Sequence, residues 1–212
     1  LNRAAEYVQS SKEMELRFMT LSRKLKAAYG IVCPSGELTK EELAKAQFYM
    51  AVRSIIYKQT VGDAPDAEVM NEVVEEMVRK AITVTGVENV VDEDKSIDFF
   101  SEDFLKQLNL VKMPITKFNA LMKLLKKAII NYGKVNKVKA IEFDERLRRV
   151  VETYNSRDKL VFATAVVADF VNDLSDELIK ILHDLKDDET SFEKMGVSYE
   201  EKAFYDILVH VR

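Results

Sequence analysis

Residues 113–154, MPITKFNALMKLLKKAIINYGKVNKVKAIEFDERLRRVVETY, decide the architecture of this chain. Phe118, Leu121, Leu125, Ile129 and Tyr132 recur at steps of three or four, the spacing that stacks side chains on one face of an α-helix. Lys123, Lys126, Lys127, Lys134, Lys137 and Lys139 fall elsewhere around the same cylinder, and Arg146, Arg148 and Arg149 extend the basic run. The pattern predicts one buried face and one basic face. Gly133 lies in the middle. A mid-helix glycine costs only about 1 kcal/mol relative to alanine, so one bent helix and a helical hairpin both satisfy the pattern. After Asn136 the stripe resumes as Phe143, Leu147, Val150 and Tyr154.

Outward from this stretch, the same period dominates. The 212 residues include only six Gly and three Pro among many charges of mixed sign, which favours long amphipathic helices over a turn-rich β architecture. An all-α bundle in a single helical domain is expected, with 1–112 as a helical linker part and 113–212 as the terminal part. The single cysteine, Cys33, has no internal disulfide partner, and no apolar run reaches spanning length, so a reducing cytoplasm and no membrane are expected. A start on Leu1, already inside a helical pattern, suggests a piece of a longer polypeptide.

Towards the N-terminus, Met14, Phe18, Leu21, Leu25 and Ala28 predict one helix from Asn2 to about Tyr29, stopped by Gly30 and the Pro34-Ser35-Gly36 turn. Thr39 and Glu42 form a capping box worth about 1 kcal/mol. The helix it opens has two apolar rows, Ala44, Phe48, Ala51 and Ile55 beside Tyr49, Val52 and Ile56, which predicts cover on two sides. Asp66 can cap a further helix with an acidic outer face of Glu68, Glu72, Glu75 and Glu76. Residues 82–91 are β-branched and fit a short strand or an irregular connection. Phe104, Leu105 and Leu108 mark a short helix, and Pro114 suits the first turn of the next.

Towards the C-terminus, Asp158 is placed to cap a long helix with Leu160, Val167, Val171, Leu174, Leu178 and Leu185 on its inner row. Phe162, Val166 and Phe170 add a second row in the first half, which predicts deeper burial there. Lys186-Asp187-Asp188-Glu189 looks like a solvated link. Gly196 marks a break, and Ser198 with Glu201 caps a last amphipathic helix carrying Ala203, Phe204, Ile207 and Leu208.

Chemistry is sparse. No glycine-rich phosphate loop occurs. His183, His210 and Cys33 have no ligand spacing and fit surface or boundary roles. Pro65-Asp66 with Glu93-Asp94-Lys95 spells a loose metal-nuclease pattern, but a helix cap and a solvated loop account for it better. Charge is more informative: acids dominate from Asp63 to Asp103 and bases from Lys117 to Arg149. The basic run could hold duplex backbone phosphates, or lie against acids of its own chain or of a partner.

The order of elements from Phe100-Ser101-Glu102-Asp103-Phe104 through LMKLLKKAIINYGKVNKVKAIEFDERLRRVVETYNSR (121–157) to the ending Gly196-Val197-Ser198-Tyr199-Glu200-Glu201-Lys202-Ala203-Phe204-Tyr205-Asp206-Ile207-Leu208 resembles the carboxy-terminal helical region of type I restriction enzyme R (motor) subunits. The ending, G-[VL]-[ST]-x-E-E-x-A-F-Y-D-x-L, is its most specific piece. The second half fits well and the first half more loosely. The resemblance implies a parent that translocates DNA with ATP and then cleaves it, with ATP, Mg²⁺ and the catalytic motifs in upstream domains and no cofactor in this region. It implies docking on the methyltransferase and specificity subunits and bracing of the motor domains. No catalytic residue of the family maps onto this chain.

Overall fold

The computed structural model of the chain describes residues 1–60, 102–159 and 164–210. The expected Asp66 helix and its acidic face, residues 82–91, the Pro65-Asp66 and Glu93-Asp94-Lys95 pair, Leu160 and Phe162 lie outside the described residues. Within them the protein is all-α: α1 Asn2–Gln9, α2 Lys12–Val32, α3 Lys40–Thr60, α4 Glu102–Leu110, α5 Pro114–Tyr132, α6 Lys137–Asn155, α7 Thr164–Met195 and α8 Tyr199–His210, with 3₁₀ turns at Cys33–Ser35 and Arg157–Lys159.

Residues 113–154 form the hairpin α5–α6. Gly133 ends α5, its N–H donating to the Ile129 carbonyl at 2.9 Å, and Asn136 opens α6 by accepting from the Lys139 N–H at 3.1 Å. Gly133 has ordinary right-handed backbone angles. Space is what calls for glycine: an added Cβ would sit 3.1 Å from the Ala140 Cβ and 3.3 Å from the Ile129 carbonyl oxygen. The predicted stripe is the core, since Phe118, Leu121, Leu125, Ile129 and Tyr132 are all buried, and they meet Phe143, Leu147, Val150 and Tyr154 of α6. Phe118 stacks on Tyr154 with ring centroids 4.2 Å apart. α5 packs most extensively on α7, whose Val167, Val171, Leu174, Leu178, Ile181, Leu182 and Leu185 close the core. Each such side chain contributes roughly 1.5–3 kcal/mol when fully buried.

Several expectations give way. α7 runs unbroken through Lys186–Glu189; Lys186 and Asp187 are exposed there, but Asp188 is hydrogen-bonded by the Tyr132 hydroxyl and by Lys202 and so is no free solvated acid. Val166, expected in a second buried row, is exposed, while the inner row Val167, Val171, Leu174, Leu178 and Leu185 is buried as expected and the helix beyond Leu185 has no buried residue. The first predicted helix is two helices. Ser11 breaks it by accepting from the Met14 N–H at 3.2 Å, and α2 continues past Gly30 to Val32 before Gly36 turns the chain at φ 73°. Leu21 and Ala28 are exposed, Phe18 of the predicted stripe packs half-buried on the small core together with Met19, and the buried residues of α2 are Glu15 and Ser22. On α3 the Thr39–Glu42 capping box forms as expected, but Phe48 and Tyr49 are exposed and only Ala46, Val52, Ile56 and Gln59 are buried. α3 is covered on one side.

Helices α1–α3 have a small core of their own, Ala5, Val8, Val52 and Ile56, separate from the large cluster of α4–α7. The two meet through polar side chains. Glu6 of α1 accepts from the Ile115 and Thr116 N–H groups at the start of α5, and from the Thr116 hydroxyl at 2.9 Å. Asp158, expected to cap the long helix, instead accepts from the Lys12 and Glu13 N–H groups at the start of α2.

Candidate functional site

The basic residues of 117–149 do not share one face. Lys123 is buried at 5% exposure, contrary to its expected place on a basic surface, because the first half of α5 is enclosed almost all round, burying Lys117 and Asn119 as well. Lys126, Lys134 and Lys137 are exposed and Lys127 is half-buried. Arg146 reaches across to Asp184 of α7 at 2.6 Å and lies over the Phe143 ring, while Arg148 and Arg149 pair along their own helix with Glu152 at 3.8 Å and Glu145 at 3.9 Å. Lys139 pairs with Glu142 at 2.9 Å. That hydrogen bond, opposed by partial burial, lifts its ammonium above the ordinary lysine value, with Asp188 and Asp206 adding attraction. Local carboxylates on α6 and α7 therefore answer much of the basic run.

No group of three His, Cys, Asp or Glu converges to hold a metal among the described residues. His183 is exposed and Cys33 half-buried, each at a site without such neighbours. No described helix is long and apolar enough to cross a membrane.

The most distinctive surface is α8. Its capping box forms, with the Ser198 N–H donating to Glu201 at 2.7 Å and the Glu201 N–H to the Ser198 hydroxyl at 3.2 Å, after a left-handed Gly196 at φ 66°. The helix then lies against the rest of the protein by its polar side. Lys202, 4% exposed, donates to Asp188 of α7 at 3.0 Å and to Asp206, one turn on, at 2.9 Å. Asn136, at the turn between α5 and α6, donates to Asp206 at 2.6 Å, and the Tyr132 hydroxyl donates to Asp188. Burial pulls the Lys202 pKa down, but its hydrogen bonds to Asp206 and Asp188 outweigh it, so the ammonium is held above the usual lysine value.

The apolar residues of α8 face out. Phe204 is 62% exposed, Leu208 and Val209 55%, Tyr205 54% and Ile207 46%. The helix is amphipathic as expected, with Phe204, Ile207 and Leu208 on its exposed side and Ala203 half-buried. Lys202 and Asp206 are the residues that sequence reasoning missed. Their i,i+4 spacing inside the terminal motif was a usable signal, since an opposite-charge pair one turn apart can close on itself and go inward.

By fold and surface this is an all-α bundle that presents an apolar helix on a polar anchor. The whole chain, residues 1–212, matches the family described as type I restriction enzyme HindI endonuclease subunit-like, C-terminal, and the protein belongs to that family. It is similar to the MjaIXP type I restriction enzyme endonuclease subunit of Methanocaldococcus jannaschii, 23% identical over 192 residues, covering 87% of this chain and 17% of that relative. The chain thus spans about one-sixth of the relative it matches. No solved structure matches.

Proposed function

We propose that this region is the assembly module of a type I restriction endonuclease subunit, docking its parent on the methyltransferase and specificity subunits through α8, with no catalysis or cofactor of its own. ATP and Mg²⁺ act in the parent's other domains, which the module braces. The observation that carries this reading is the inverted arrangement of α8. Burying Lys202 and turning Asp206 inward while exposing Phe204, Tyr205, Ile207, Leu208 and Val209 is unfavourable for an isolated chain and becomes favourable once a partner covers the apolar side. Aromatic and aliphatic side chains clustered on one helix are the usual anchors of helix-in-groove recognition.

The test uses the intact endonuclease subunit. Phe204→Glu combined with Leu208→Glu is expected to weaken co-elution with the methyltransferase–specificity core in low salt by tenfold or more, while the subunit stays folded. Undiminished co-elution contradicts the docking role of α8. The second reading is a nonspecific clamp on duplex backbone, for which Lys126, Lys134 and Lys137 are the exposed lysines. It requires affinity that falls steeply with salt, with a shallower slope when these lysines are neutralised.

A further inference from the structure

Two structured halves of this protein are joined by groups that water can replace. The core of α1–α3 is small, and its buried apolar residues do not merge with those of α4–α7. Between them lies a continuous polar seam. Arg157, 1% exposed, donates to the Gln9 carbonyl at 2.9 Å, to the Tyr154 carbonyl at 3.1 Å and to Glu15 at 2.8 Å, and its guanidinium sits 4.0 Å above the Tyr154 ring centroid. The Gln9 amide donates to Gln59 at 2.6 Å and accepts from Asn119 at 3.1 Å, and Gln59 reaches Thr116 at 3.4 Å.

The helix caps are exchanged across the same seam. Glu6 of the first half caps α5 of the second, and Asp158 of the second caps α2 of the first. A cleft of about 410 Å³, lined in part by Glu6, Ile115, Arg3 and Lys112, opens beside it.

We propose that this seam is a releasable coupling. Helices α1–α3 come off the bundle and return as a folded unit, with Arg157 as the pin and the reciprocal caps as the register. Docked, the hydrogen bonds allow only one geometry, because a shift of one helical turn would strand Arg157, Glu6 and Asp158 together. Separated, each half keeps its own apolar core, and the cleft brings solvent to the seam at its Glu6 end. The desolvation cost of a buried ion pair offsets much of its Coulombic gain, so the Arg157–Glu15 contact adds little net stability to the docked state and is rehydrated when the two surfaces part. The device gives the N-terminal helices two orientations relative to the bundle, and it is independent of what α8 docks on.

Hydrogen exchange of the folded chain, read amide by amide, tests this. Arg157→Met is expected to speed exchange at Lys12 and Glu13, near the pin, and by a similar factor of tenfold or more at Ile115 and Thr116, which Arg157 does not touch. The amides of Leu125 and Leu178 are expected to keep their wild-type rates. Acceleration confined to Lys12 and Glu13, acceleration that spreads to Leu125 and Leu178, or no acceleration would each overturn the proposal. The first would mean local fraying, the second one cooperative body and the third a seam that Arg157 does not hold. Should Arg157→Met fail to fold, Glu6→Ala supplies the mirror experiment. It is expected to speed Lys12 and Glu13 from the opposite end of the seam, and unchanged rates there count against the coupling.

Discussion

Helices α5 and α8 have the same kind of sequence and opposite fates. Both carry apolar residues at three- and four-residue steps interrupted by charge. α5 turns its apolar residues into the core and is enclosed so fully that Lys117 and Lys123 are buried with them. α8 turns Lys202 and Asp206 inward and leaves its apolar residues in solvent. Amphipathicity marks a helix that has a surface to cover, but it does not say whether the cover belongs to the same chain. Where the inward positions of a helix can complete a polar network, as Lys202 does with Asp188 and Asp206, the apolar side is free for something else.

Substitutions on the two helices should separate widely. Phe118→Ala, at a position with no exposure and a stacked partner, is expected to cost about 3–5 kcal/mol in denaturant unfolding. A cost below about 1 kcal/mol would break the contrast from the α5 side, since large-to-small changes at packed sites cost several times that. Lys202→Met is expected next, at about 2 kcal/mol, because it leaves Asp188 and Asp206 facing each other without their shared donor.

The same pair gives a pH dependence. The folded pKa of Lys202 is raised, so its contribution is fully present below the unfolded value of 10.5 and is lost as pH rises through the higher folded value. Protection of α8 amides, relative to those of α7, should therefore hold at neutral pH and fall only in strong alkali. Loss of that protection near neutrality would contradict the anchor.

Smaller effects sharpen the comparison. The Tyr154 hydroxyl is buried without a hydrogen-bond partner among the described residues. Burial, partly offset by Arg157, drives its pKa up. Tyr154→Phe keeps the stack on Phe118 and should raise stability by up to about 1 kcal/mol, since removing an unsatisfied buried hydroxyl is neutral or favourable. Phe204→Glu should be smallest, within about 0.5 kcal/mol of wild type in the free chain, as for surface substitutions generally. A loss comparable to that of Phe118→Ala would show that α8 packs by its apolar side after all.

Much of this was legible in the sequence, for reasons that also explain the failures. The stripe of α5, the stripe of α6, the inner row of α7 beyond Leu160 and both capping boxes depend on local spacing, which a linear pattern carries in full, whereas at Gly133 the pattern fits a bend and a hairpin alike. What depended on a distant partner was not. Ser11 looks like any serine in a helical run until Asp158 is found to cap the break. Asp188 looks solvated until Tyr132 and Lys202 meet it. Phe48 and Tyr49 have the period of covered residues, yet α3 is met on one side only. For the basic run, spacing places lysines around a cylinder without saying that the cylinder is enclosed, and this hid the burial of Lys123.

Hydroxyl-radical footprinting of the intact endonuclease subunit, alone and assembled with its methyltransferase and specificity subunits, tests the account of α8 most directly. Phe204, Tyr205 and Leu208 are predicted to be oxidised in the free subunit and protected severalfold on assembly, while Phe118 and Leu178 resist oxidation in both states. Equal oxidation of the α8 residues in the two states, or their protection in the free subunit, would contradict it.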